Sequence, residues 1–119
     1  MSESRDKQPI LSVRFYRAAS GSEPVREWLL RLAKDDRRAV GEDIKTAQYG
    51  WPLGMPLIRK LEPGLWEIRS HIAAGIARVL FTVDGTVMVL LHGFVKKSQK
   101  TPAPDLKTAQ QRLADLRRE

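Results

Sequence analysis

Hydrophobic and polar positions alternate with two different periods along this chain, and the changes of period mark its elements. Residues 12–17, SVRFYR, place Val13 and Phe15 on one side and Arg14 and Tyr16 on the other, the period of a half-buried strand. From Val25 the period lengthens. Val25, Trp28, Leu29 and Leu32 fall at i, i+3, i+4 and i+7, one face of a helix. Ser20 and Glu23 have capping-box spacing before it, and Pro24 suits its first turn. Asp35 or Asp36 can cap a second helix whose stripe is Val40, Ile44 and Ala47, with Gly50 at its end. Two short helices around a tight break predict an antiparallel helical hairpin.

Residues 51–56, WPLGMP, break the pattern, and residues 57–61 form a short extended piece. Residues 65–71 then alternate, with Trp66 and Ile68 on one face and Glu67, Arg69 and His71 on the other. Residues 76–83 alternate as well, Ala77, Val79, Phe81 and Val83 against Ile76, Arg78, Leu80 and Thr82. Asp84-Gly85 is a two-residue hairpin signal. It leads into Val87, Met88, Val89, Leu90 and Leu91, an unbroken apolar run that reads as a fully buried strand. That strand closes on His92 and is followed by Lys96, Lys97 and Lys100. Thr101 as cap and Pro102 at the first position open a last helix, marked by Leu106, Ala109, Leu113 and Leu116. The order β-α-α-β-β-β-α predicts an α+β fold: a mainly antiparallel sheet, a helical hairpin on one face and a C-terminal helix. Residues 1–11 are expected to be a mobile arm and residues 12–119 a single domain.

Composition narrows the function classes. The chain of 119 residues has no cysteine, so disulfides, thiolate metal sites and cysteine nucleophiles are excluded. No apolar stretch reaches the roughly 20 residues of a membrane span, and MSESRDKQPI lacks the apolar core of a signal peptide. A cytoplasmic protein is expected. The net charge of +7 is unevenly placed: residues 51–100 hold seven basic and three acidic side chains, against ten and eight in residues 1–50. A basic field on the strand half draws polyanions, of which nucleic acid is the commonest.

The strand pattern gathers the candidate chemistry. Glu67, Arg69, His71 and Arg78 share the face away from Trp66, Ile68 and Val79, with His92 and the lysines at the end of the next strand and Arg59 and Lys60 before the first. Two arginines on neighbouring strands are costly unless they meet anions or Glu67 neutralises them. Such a surface suits RNA cleavage by the 2′-hydroxyl, which takes a base, a cation to steady the phosphorane and an acid for the leaving 5′-oxygen. The nucleophile belongs to the RNA, so no metal or other cofactor is expected, and His71 and His92 lack zinc-motif spacing. The competing readings are structural: Arg69 and Arg78 as ion-pair partners of Glu67, and His92 as a hydrogen-bonded strand-end residue.

Arg59-Lys60-Leu61, LWEIR (65–69), Arg78-Val79-Leu80-Phe81 and LLHGFVKKSQKTP (90–102), with the amphipathic tail, resemble the RelE/HigB superfamily of type II toxins in its phage-derived HigB-like branch. The resemblance covers roughly residues 12 to 117, and the 90–102 stretch is its most specific part. It implies a small RelE-like fold and a toxin that cleaves mRNA, often on the ribosome, neutralised by a helix-turn-helix antitoxin from the same operon. By motif, Arg69 and Arg78 match the positions associated with phosphate binding and transition-state stabilisation, and His92 the histidine of this branch. Lys96 and Lys97 match the basic pair after the last strand. Arg59, Lys60 and Lys100 complete the expected RNA-binding set. No tyrosine follows Lys97, unlike in members whose site depends on one. The alternatives are a ParE-like toxin that inhibits DNA gyrase without nuclease chemistry, and a non-catalytic nucleic-acid-binding module.

Overall fold

The computed structural model describes residues 8–96 and 101–118. Their elements are β1 (Ser12–Phe15), α1 (Pro24–Arg31), α2 (Lys34–Gly50), β2 (Ile58–Glu62), β3 (Leu65–Ile72), β4 (Gly75–Asp84), β5 (Val87–Lys96) and α3 (Ala103–Arg117). The α+β class expected from the pattern is the observed one, with one strand more than the expected order: residues 57–61 hold most of a regular edge strand, β2. The sheet runs β1-β5-β4-β3-β2. β2, β3, β4 and β5 pair antiparallel in succession, while β1 lies parallel to β5 at the far edge. No helix among the described residues is long and apolar enough to cross a membrane.

Each face of the sheet carries its own core. The α1–α2 hairpin covers one, where Val25, Val40, Ile44 and Ala47 meet Ile58, Ile68, Val79, Phe81, Met88 and Leu90. α3 covers part of the other, where Ala109 and Leu113 meet Tyr16, Leu65, Leu80, Val89 and Leu91. Burying each large apolar side chain contributes about 1.5–3 kcal/mol, so both cores hold the sheet. Leu11, which the pattern assigns to the N-terminal arm, is 2% exposed and belongs to the hairpin-side core. Its backbone is tied to α2 through bonds with the Gln48 carbonyl and side chain, both 3.1 Å. A two-residue hairpin forms one position later than the Asp84-Gly85 signal: Asp84 ends β4 and pairs with Val87, and Gly85-Thr86 make the turn, with Gly85 at φ +62°, a conformation other residues rarely adopt.

The helix starts differ from the expected caps because the capping side chains have other partners. Ser20 bonds Ser22 instead of the helix, and Glu23 caps α1, its N–H donating to Glu27 at 3.2 Å. α2 starts at Lys34, so Asp35 and Asp36 lie in its first turn, where their charge favours the helix dipole. Thr101 lies one residue outside the α3 cap, Pro102, and its hydroxyl donates to Glu67 of β3 at 2.7 Å.

Candidate functional site

Along β3, β4 and β5 the α3-side face changes from apolar to polar within one step of the pleat. Leu65 gives way to Glu67, Leu80 to Arg78, and Leu91 to His92. Glu67, Leu80 and His92 stand abreast; one step further along come Arg69, Arg78 and Phe94, and then Ile76 and Lys96. Arg59 on β2 is the cross-strand partner of Glu67. The fold therefore brings Arg59, Glu67, Arg69, Arg78, His92 and Lys96 onto one face.

Within that face the residues differ in accessibility. Arg78 and Glu67 are both fully buried, with Arg78 Nη1 3.6 Å from Glu67 Oε2. Burial pulls the proton affinity of Arg78 below its ordinary value; Glu67 opposes this, and Arg69 and Arg59 add to it. The same Glu67 oxygen accepts the Thr101 hydroxyl. As the structure stands, Arg78 is thus the structural partner of Glu67 and has no exposed surface to offer a phosphate. Arg69, directly opposite Arg78, and Arg59 are both half-exposed. Like charges facing across a strand pair repel, so this end of the sheet carries an excess of positive charge at close range.

His92 is held by α3. Its Nε2 lies 2.7 Å from Asp105 Oδ1, and its Nδ1 3.4 Å from Arg112 Nη1. Phe94 stacks on the ring with centroids 5.5 Å apart. Arg112 is anchored in turn: Nη1 donates to the Leu91 carbonyl at 2.8 Å and the guanidinium lies over the Tyr16 ring. Burial lowers the proton affinity of Arg112, with Tyr16 acting in the opposite direction. Asp105 and Arg112 are site residues that the strand pattern did not supply. Their seven-residue spacing, two helical turns, was the available signal, but which strand that face meets is a tertiary fact.

Of the candidate residues, Lys60 and His71 fall elsewhere. Lys60 pairs across the sheet with Trp66 and lies on the hairpin side, its ammonium 5.9 Å from the Trp66 ring centre. Adjacent strand residues face opposite ways, so Arg59 and Lys60 cannot share a face. Lys97 and Lys100 lie outside the described residues. His71, grouped with the arginines by alternation, is exposed and lines a depression with Asp35, Arg38 and Asp43 of α2.

No curated protein matches the chain. Residues 27–114, from α1 through most of α3, match the family described as phage-derived protein Gp49-like (DUF891). That span contains every residue of the polar face, and the family lies in the RelE-type toxin group whose small α+β architecture this fold shares. The chain belongs to the phage-derived Gp49-like family.

Proposed function

We propose that this protein is the toxin of a type II toxin–antitoxin pair and acts as a metal-independent mRNA endonuclease in the cytoplasm, with the ribosome as the setting for cleavage and a helix-turn-helix antitoxin as its neutralising partner. The Gp49-like family is commonly toxin–antitoxin related, which supports the first part. The observation that carries the second is the arrangement of Arg59, Arg69 and Arg78 on three neighbouring strands around Glu67, with His92 abreast on β5. Guanidiniums crowded against one another gain from a phosphate between them, and gain more as the phosphorane accumulates charge. Arg69 and Arg59 are accessible as they stand and make the first phosphate contacts. Arg78 joins when its pair with Glu67 opens. The RNA supplies the nucleophile and a histidine can move the proton, so the reaction needs no metal.

The complete burial of Arg78 favours a second reading, a ParE-like toxin that inhibits gyrase by binding and leaves the Glu67–Arg78 pair closed. Brief induction followed by primer extension on cellular mRNA separates the two. Nuclease action gives growth arrest with new 5′ ends within minutes, and a purified ribosome-free substrate, where one is cut, is cut equally in EDTA. Growth arrest with intact mRNA and trapped gyrase supports the second reading. Soluble protein accumulating in cells that keep growing sinks both.

A further inference from the structure

The His92 ring is held on three sides at the polar end of the sheet: Nε2 by Asp105, Nδ1 by Arg112, one face by Phe94. These contacts decide its tautomer. A guanidinium only donates, so the nitrogen facing Arg112 carries the lone pair and the nitrogen facing the carboxylate carries the hydrogen. The two contacts are unequal. At 3.4 Å the Arg112 contact is at the long end of the hydrogen-bond range, and the same Nη1 makes a 2.8 Å bond to the Leu91 carbonyl. At 2.7 Å the Asp105 bond is short. α3 is seated by Leu106, Ala109, Leu113 and Leu116, whereas Asp105, in its first turn, reaches His92.

Resting on the nuclease reading above, we propose that Asp105 is a positioning residue for cleavage: it holds His92 with hydrogen on Nε2 and the lone pair on Nδ1, which makes Nδ1 the base for the RNA 2′-hydroxyl. The 2′-oxygen bonds to phosphorus as the bond from phosphorus to the 5′-oxygen breaks. The 2′ proton passes to Nδ1. The departing 5′-oxygen takes a proton from water, and the hydroxide left behind takes the one on Nδ1. The products are a 2′,3′-cyclic phosphate and a 5′-hydroxyl. The Asp105 carboxylate faces the imidazolium as it forms, as in other acid–histidine pairs. To reach Nδ1 the 2′-hydroxyl displaces Arg112 Nη1, the atom that also donates to the Leu91 carbonyl, from the weaker of its two contacts.

The test is Asp105→Asn, with Asp105→Glu and Asp105→Ala beside it. The amide oxygen of the Asn variant can still accept from Nε2–H, and Arg112, which only donates, still keeps hydrogen off Nδ1, so the tautomer holds while the negative charge facing the imidazolium is lost. Ring ¹⁵N shifts of the neutral imidazole should show Nε2–H in both proteins. Single-turnover cleavage should fall by about 10²–10⁴-fold with RNA binding unchanged, the range of a lost proton-transfer group. Asp105→Glu should recover most of the rate. A purely structural contact predicts another pattern, in which cleavage follows Tm across the three variants. That pattern, or an Asn variant that cleaves at the parent's rate, overturns the proposal while leaving the nuclease reading intact. Should the Asn variant not fold, the parent spectrum decides: hydrogen on Nδ1 there overturns it. A parent that cuts no RNA, with or without ribosomes, overturns the nuclease reading and this role together.

Discussion

Replacing Gly93 with alanine tests how the hairpin seats on the sheet. Gly93 stands between His92 and Phe94 on β5, opposite Val79, and the Trp28 indole of α1 lies against it. A Cβ added there would sit 2.6 Å from Cζ3 and 2.8 Å from Cδ2 of the indole, with Cε3 nearer still. Real Cβ atoms essentially never approach so closely, and the obstacle is a rigid ring, so α1 has to move. The Gly93 backbone is not in a positive-φ conformation, so the cost is one of packing. Overpacking a core contact costs about 1–3 kcal/mol. Stiffening the unfolded chain by Gly→Ala returns about 0.4–1 kcal/mol. The expected net loss is about 1–2 kcal/mol, or about 4–8 °C in Tm at roughly 4 °C per kcal/mol for a domain of this size. Thermal and urea unfolding of Gly93→Ala, Trp28→Leu and the double variant form a cycle that isolates the contact. The alanine should cost much less where Trp28 is already Leu, giving a coupling of roughly 0.5–3 kcal/mol. A Gly93→Ala Tm equal to the parent's, or the same cost with and without the indole, refutes the reasoning.

Two further outcomes follow from the polar face. Glu67→Gln leaves Arg78 buried without its counter-charge and should destabilise by roughly 3–5 kcal/mol in urea unfolding; a loss below 1 kcal/mol means that Arg78 is solvated in solution. Arg69→Ala should lower single-turnover cleavage by roughly 10²–10³-fold, whereas Lys60→Ala, on the opposite face, should leave cleavage and its salt dependence at parent values; equal losses at both positions mean that RNA contacts both faces.

The helices and central strands were legible because their signals are local. Val40, Ile44 and Ala47 repeat with helical period and all three are buried, and the β3 and β4 alternations assign Ile68, Val79 and Phe81 to the hairpin side as observed. β2 was harder to read because Ile58–Glu62 is short, charged and at an edge, with a register shift between Lys60 and Glu62. The parallel pairing of β1 with β5 joins residues far apart in sequence, and no local pattern encodes it. At the site, alternation was enough to group Glu67, Arg69 and Arg78. It could not tell that Arg78 would be sealed under Glu67 and Thr101, because that depends on how the start of α3 meets the sheet.

The face on which His92 lies has a less obvious cause. In β5, Leu90 pairs with Phe81 and packs in the hairpin-side core. Strict alternation from Leu90 would return His92 to that side, against Trp28, and turn Gly93 toward α3. The register instead jumps: Leu80 pairs with His92 while Phe81 pairs with Leu90, which makes Leu91 the extra residue of a bulge. A bulge re-aims the side chains that follow it. Here it keeps Leu91 in the α3-side core and sends His92 to the same face, level with Glu67. Gly93 then falls where the Trp28 indole leaves no room for a Cβ, and Phe94 falls beside Arg78. The run His-Gly-Phe is explained by this one irregularity: the histidine reaches Asp105, the glycine admits α1, and the phenylalanine stacks on the imidazole. Nothing in the apolar run before it, Val-Met-Val-Leu-Leu, announces where the extra residue goes, because any of those side chains can be buried on either face.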